Sequence, residues 1–154
     1  MSASDANDLQ DLYRQTVLDH SRQPRNFRRI ENPSVAAEGH NPLCGDKITV
    51  YLKLDHDSID EVAFEGVGCA ISQASASIMT ERVAHRTTAE AHDCIEEVMR
   101  QFDRNQDNPP AAPGDMAALT GVREYPSRIK CATLAWKTLR AALEGQRQTV
   151  TTEE

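Results

Sequence analysis

Asp46-Lys47-Ile48-Thr49-Val50-Tyr51-Leu52-Lys53-Leu54 is followed by Asp55-His56-Asp57-Ser58 and then by Ile59-Asp60-Glu61-Val62-Ala63-Phe64-Glu65. In the first run Ile48, Val50, Leu52 and Leu54 alternate with Lys47, Thr49, Tyr51 and Lys53, the period of a half-buried strand. Asp-His-Asp-Ser is turn chemistry. The last run sets Ile59, Val62 and Phe64 among acidic residues and reads as a second strand. Together they predict an antiparallel hairpin. With the turn centred between His56 and Asp57, opposed residues carry numbers summing to 113, so Asp46 faces Val67 and Cys44 faces Cys69.

Working outward, Val35 to His40 reads as a short strand with weak alternation. Asp8 to Ser21 reads as a helix with Leu9, Leu12, Tyr13 and Val17 near one face, ended by Pro24. Ala70 to Ala84 is helical and rich in Ala and Ser. Thr87 and Glu90 match a capping box that opens a helix whose apolar stripe is Ala91, Ile95, Val98 and Phe102. Asp103 to Gly114 is a proline-rich loop, and Met116 to Leu119 reads as a short helical turn. Pro126 suits the first turn of a last helix with a buried face of Ile129, Ala132, Trp136, Leu139 and Leu143, stopped by Gly145. The expected class is α+β: a small three-stranded antiparallel sheet packed on one side by about five helices. Residues 1–7 read as a flexible N-terminal arm, 8–145 as one domain and 146–154 as a flexible C-terminal tail.

The 154 residues fit one domain and hardly two. The longest stretch free of Lys, Arg, Asp and Glu, Gly66 to Thr80, is full of Ser, Ala and Gly, which excludes a membrane span. Met1 to Asn7 has neither a basic start nor an apolar run, so no signal peptide is read and the expected compartment is the cytoplasm. The net charge of −7 argues against nucleic acid as a partner. Arg22, Arg25, Arg28 and Arg29 form a local basic cluster, either a solvated loop after a helix or a surface for an acidic protein.

The four cysteines, at 44, 69, 94 and 131, make no CxxC pair. In a cytoplasmic protein, metal binding or thiol chemistry is the better expectation than disulfides. Cys44 lies in the turn Asn41-Pro42-Leu43-Cys44-Gly45-Asp46, and Cys69 follows Gly66-Val67-Gly68 at a helix start, where the helix dipole favours a thiolate. Cys131 lies early in the last helix, and Asp46 is two residues after Cys44. Three thiolates and one carboxylate complete a tetrahedral shell for zinc. The alternative is that each is a small buried hydrophobe, which is the reading for Cys94 beside its apolar stripe. Such a site carries excess negative charge, and Arg128 and Lys130 either offset it or are ordinary exposed residues of a first turn. His40 is near enough in sequence to ligate; a loop or strand-end histidine is the simpler reading. His20, His56, His85 and His92 lack paired spacing.

Asn41-Pro42-Leu43-Cys44-Gly45-Asp46, Gly66-Val67-Gly68-Cys69-Ala70-Ile71-Ser72 and Arg128-Ile129-Lys130-Cys131-Ala132 resemble, in order, the three cysteine motifs of the IscU/NifU-like iron–sulfur cluster assembly proteins. Leu18-Asp19-His20 and Pro24-Arg25-Asn26 resemble that family's N-terminal segment, and the likeness runs from about Leu9 to Gly145. Within the family the chain resembles the SufU branch. Lys130 stands where the scaffold branch has a histidine before its third cysteine. Glu124-Tyr125-Pro126-Ser127-Arg128 replaces that branch's Leu-Pro-Pro-Val-Lys motif. The segment from about Phe102 to Tyr125 resembles the SufU insertion.

The resemblance implies an IscU/SufU-like domain and a zinc-dependent sulfurtransferase. It would take sulfur as a transient persulfide from a PLP-dependent cysteine desulfurase of the SufS type and pass it to the SufBCD complex. Carried over by motif, Cys44 would be the persulfide acceptor, and Cys44, Asp46, Cys69 and Cys131 would hold one zinc. Arg128 matches a position implied to engage the desulfurase. The competing readings are a scaffold on which a [2Fe–2S] cluster is assembled on the same ligands, and a structural zinc domain. A zinc hydrolase fits poorly, because four protein ligands leave no open position for water.

Overall fold

The computed structural model describes residues 14–42, 45–102, 119, 126–145 and 150–151. Helix α1 covers 14–22. Strands β1 (Val35–Asn41), β2 (Asp46–Asp55) and β3 (Ser58–Val67) follow, then α2 (Ala70–Val83), α3 (Thr88–Gln101), α4 (Pro126–Leu143) and β4 (Val150–Thr151). The sheet order is β3-β2-β1-β4, with the first two pairings antiparallel and β4 parallel to β1. The α+β class and the antiparallel three-stranded sheet are those expected. Among the described residues there are four helices rather than about five, and the short β4 falls in the stretch read as a tail. Leu9, Leu12, Tyr13 and the turn at Met116 lie outside the described residues; Leu119 is described and fully buried.

The hairpin register departs from the simple count. Lys47 pairs with Val67, Val50 with Phe64 and Leu52 with Val62, but Leu54 pairs with Ile59, with an irregularity between Lys53 and Leu54. Asp60 is therefore the extra residue of a β-bulge. Asp46 does not face Val67, which Lys47 takes, and Cys44 lies outside the described residues. The bulge is what keeps the apolar residues together: a one-residue shift changes face, and only with it do Ile59, Val62 and Phe64 share the buried side with Leu52 and Val50.

That inner face is covered by α2 and α4. Val50, Leu52, Ile59, Phe64, Ile78, Met79, Leu134, Trp136 and Leu139 form the core, with α3 adding Ala91, Ile95 and Val98. The Thr87–Glu90 capping box is complete in both directions. At the open β3 edge, the Asn26 carbonyl accepts from Phe64 and the Arg28 N–H donates to the Phe64 carbonyl. Phe27 sets its ring edge-on to Phe64 at 5.2 Å. This strip and β4 cover both sheet edges, which otherwise would offer unpaired backbone groups. Gly145 adopts φ 72° and its N–H bonds back to Ala142, the helix stop expected of a glycine there.

Candidate metal centre

Asn41 ends β1 and Asp46 begins β2, and the two are directly paired across the short loop between them. Alternation along each strand turns both inward: Asn41 is fully buried and Asp46 nearly so, whereas His40 lies on the opposite face of β1. The start of α2 brings Cys69 alongside, and the second turn of α4 brings Cys131. Asp46, Cys69 and Cys131 each offer one ligand atom, and these lie within 4.8 Å of one another. The structure thus joins three of the four residues singled out by motif; the fourth, Cys44, lies outside the described residues. No histidine belongs to this group.

Each ligand is oriented by neighbours. Oδ1 of Asp46 accepts the backbone N–H of Cys69 at 3.0 Å. Oδ2 faces the Asn41 amide, with Nδ2 at 3.4 Å, and the same Nδ2 lies 3.7 Å from Cys131 Sγ. Gly68 permits the approach of β2 to α2, since a Cβ there would collide with the Ser72 hydroxyl and stand 2.7 Å from Asp46 Oδ1. Asn41, Gly68 and Ser72 stood in the quoted motifs without a role. Their sequence signal was the five-residue separation of Asn41 and Asp46 and the Gly-x-Gly before Cys69.

The electrostatics favour thiolate. Cys69 is drawn well below an ordinary thiol, to about 5, chiefly by a hydrogen bond from Cys131 and then by the Ser72 backbone N–H; partial burial and the Asp46 charge oppose this. Arg128 lies against the same thiols. Its guanidinium is held still more firmly protonated, first by the Cys69 charge and then by its hydrogen bond to Cys131. Lys130 behaves differently: it is half-buried, and its charge helps lower Lys137, two turns along α4, after the larger effects of burial and Arg140.

Two soft sulfurs and one hard carboxylate oxygen converging at this spacing fit the donor preferences of zinc, which takes Cys and Asp ligands tetrahedrally. Cys94 is half-buried and packs against the core, away from this cluster. In the basic segment, Arg25 pairs with Asp19 at 2.7 Å and Arg28 with Glu61 at 2.8 Å, so two of its four arginines already have acidic partners within the fold. Among the described residues no helix is long and apolar enough to cross a membrane.

The family described as the NifU-like N-terminal domain matches residues 12–132. The chain is 43% identical over 136 residues to the zinc-dependent sulfurtransferase SufU of Bacillus subtilis, covering 85% of this chain and 88% of the relative. It is 36% identical over 133 residues to the iron–sulfur cluster assembly scaffold protein IscU of Thermotoga maritima, covering 86% and 93%. The crystal structure described as an iron–sulfur cluster assembly scaffold protein for the SUF system (FiSufU), from Fervidobacterium islandicum AW-1, superposes with a TM-score of 0.75 at 36% identity, covering 86% of this chain and 96% of that one.

Proposed function

Because this chain belongs to the family of NifU-like N-terminal domains, we propose that it serves iron–sulfur cluster assembly as a zinc-binding sulfurtransferase. The observation that carries the reading is the convergence of Asp46, Cys69 and Cys131; the motif adds Cys44, two residues before Asp46 in the sequence. In this reading all four hold one zinc. Zinc, when bound, would keep its cysteine ligands as thiolates near neutral pH.

Sulfur arrives by exchange. The Cys44 thiolate attacks the outer sulfur of a persulfide on a PLP-dependent cysteine desulfurase of the SufS type. The donor's S–S bond breaks, its thiolate leaves, and Cys44 carries the persulfide with no net change of oxidation state. The sulfur then passes to the SufBCD complex. In this reading Arg128, which is exposed and lies against Cys69 and Cys131, meets the desulfurase. The setting is the cytoplasm.

The second reading, a scaffold for a [2Fe–2S] cluster, is favoured by the 36% identity to the Thermotoga scaffold protein. Lys130 weighs against it, since a charged lysine cannot replace a histidine as an iron ligand. Native mass spectrometry after anaerobic incubation with the desulfurase, cysteine and ferrous iron separates them. Retained zinc with sulfur added on Cys44 and no iron is the expected result. A mass increase for two irons and two sulfides, with zinc displaced, would make the chain a scaffold.

A further inference from the structure

Asn41 is fully buried, on β1, at the point where β1, β2 and α4 meet. Its Nδ2 faces Oδ2 of Asp46 at 3.4 Å and Sγ of Cys131 at 3.7 Å. The first distance is slightly beyond the usual range of about 2.7–3.2 Å for an N–H···O bond, and the second is within reach of the larger sulfur acceptor. The orientation of the amide follows from chemistry. With the metal bound, the Asp46 carboxylate and the Cys131 thiolate only accept hydrogen bonds, so the NH2 group and not the carbonyl faces them. Its two N–H groups match two acceptors belonging to two different elements.

We infer that Asn41 is a positioning residue of the metal centre, its side-chain amide donating to Asp46 and to Cys131 so that carboxylate and thiolate stay aimed at one point. This rests on the metal-site reading above. Oδ1 of Asp46 is fixed by the Cys69 N–H, and the amide on Oδ2 leaves the carboxylate little rotation. On Cys131 the amide withdraws charge from sulfur, which tempers the thiolate and strengthens its preference for one orientation. Polar groups behind metal ligands set affinity in this way. Asn41 touches neither the incoming sulfur nor its donor; it acts through the two ligands.

The test uses the whole protein loaded with the spin-half isotope of cadmium. If Cys131 ligates and accepts the amide bond, NMR will show a through-bond correlation between cadmium and the Asn41 side-chain NH2 protons. In parallel, Asn41→Asp keeps the shape and removes both donors. It is expected to weaken zinc about tenfold to a hundredfold and to move the thiolate-to-metal absorption of the cobalt(II) form to lower energy, which a space-filling role would not do. The correlation in the parent protein decides, whether or not the variant folds. Its absence from a protein whose cadmium shift reports thiolate ligands overturns the role of Asn41 and leaves the metal reading intact. A cadmium shift without thiolate ligands overturns both.

Discussion

The backbone N–H of Cys69 donates to Oδ1 of Asp46 at 3.0 Å. One candidate ligand thus provides the N-terminal hydrogen bond for the helix that carries the next, and the end of the hairpin and the start of α2 are locked together through the site itself. Asp46 therefore has two tasks, and its substitutions separate them. Asp46→Ala removes a ligand oxygen and leaves a partly buried N–H without its partner. Zinc affinity should fall by a hundredfold or more, on the order of the larger effects seen at metal sites. The metal-free protein should lose about 1–3 kcal/mol, the cost of an unsatisfied buried donor. Asp46→Asn keeps an acceptor for Cys69 and should restore most of the stability but little of the affinity. Competition against a chromophoric chelator and urea unfolding read the two effects separately. Equal zinc affinity in Asp46→Ala and the parent would remove Asp46 from the ligand set.

Gly68 supplies a test that leaves every ligand in place. Its missing Cβ is what lets Asp46 Oδ1 and the Ser72 hydroxyl come so close. Gly68→Ala must push the carboxylate or the start of α2 aside. Overpacking of this kind costs about 1–3 kcal/mol, and here the strain falls on the ligand geometry. We expect zinc binding to weaken at least about tenfold, in the range produced by disturbing residues behind metal ligands, with the helix content of the circular dichroism spectrum unchanged. Unchanged affinity would mean that the Asp46–Cys69 contact is incidental to the site.

The hairpin shows where sequence reading reached and where it stopped. Alternation in β2 gives the strand, its faces and its inward Ile48, Val50 and Leu52 correctly. The same count, carried across the turn, puts the wrong residue opposite Asp46, because it assumes that both strands advance together. The warning lay in β3 itself: Ile59 to Val62 is a step of three, which no regular strand can put on one face. Read as a bulge at Asp60, that step gives the true register. The last helix was legible from Pro126 to Gly145, since proline, apolar spacing and glycine agreed. The ligands were legible as motifs, but the role of Asn41 was not, because it depends on a cross-strand pairing and on a helix ninety positions away in sequence. β4 was missed for a related reason: a two-residue strand has no period to detect.

The lowered Cys69 thiol makes a pH prediction. Its folded value of about 5 lies below that of an unfolded cysteine, roughly 8.5. The thiolate's contribution to stability is therefore complete above about pH 8.5 and is lost as the pH falls toward 5. In the metal-free protein, the stability difference between the parent and Cys69→Ser should grow as the pH rises through that window and level off above it. Iodoacetamide should also modify Cys69 well below about pH 8.5, as thiolate is the nucleophile. A stability difference independent of pH, or modification of Cys69 only above about pH 8.5, would contradict the assignment.

Cys94 is expected to behave as part of the core. It is half-buried on α3 and packs against the apolar cluster, so Cys94→Ser should cost about 1 kcal/mol, a typical loss for a point change. Zinc content and sulfur acceptance should be unchanged. A folded Cys94→Ser protein that no longer accepted sulfur would place this thiol in the transfer path.

Behind the site, the Ser75 hydroxyl donates to the carbonyl of Ala132, the residue after Cys131, and accepts the indole N–H of Trp136 at 3.1 Å. This one side chain joins the helix that follows Cys69 to the helix that carries Cys131. Ser75→Ala leaves the buried indole N–H of Trp136 without its partner, while the Ala132 carbonyl keeps its bond within α4, and unfolding should become easier by about 1–3 kcal/mol, the usual cost of an unsatisfied buried donor. Trp136 is the only tryptophan, so its fluorescence follows the transition directly. With this tie between α2 and α4 removed, the spacing of Cys69 and Cys131 should loosen and zinc should dissociate faster. The replacement Ser75→Thr keeps the hydroxyl and should retain the slower release if its extra methyl is accommodated. Should Ser75→Ala lower stability while zinc leaves at the parental rate, the junction would be a packing device for the two helices, without influence on the metal centre.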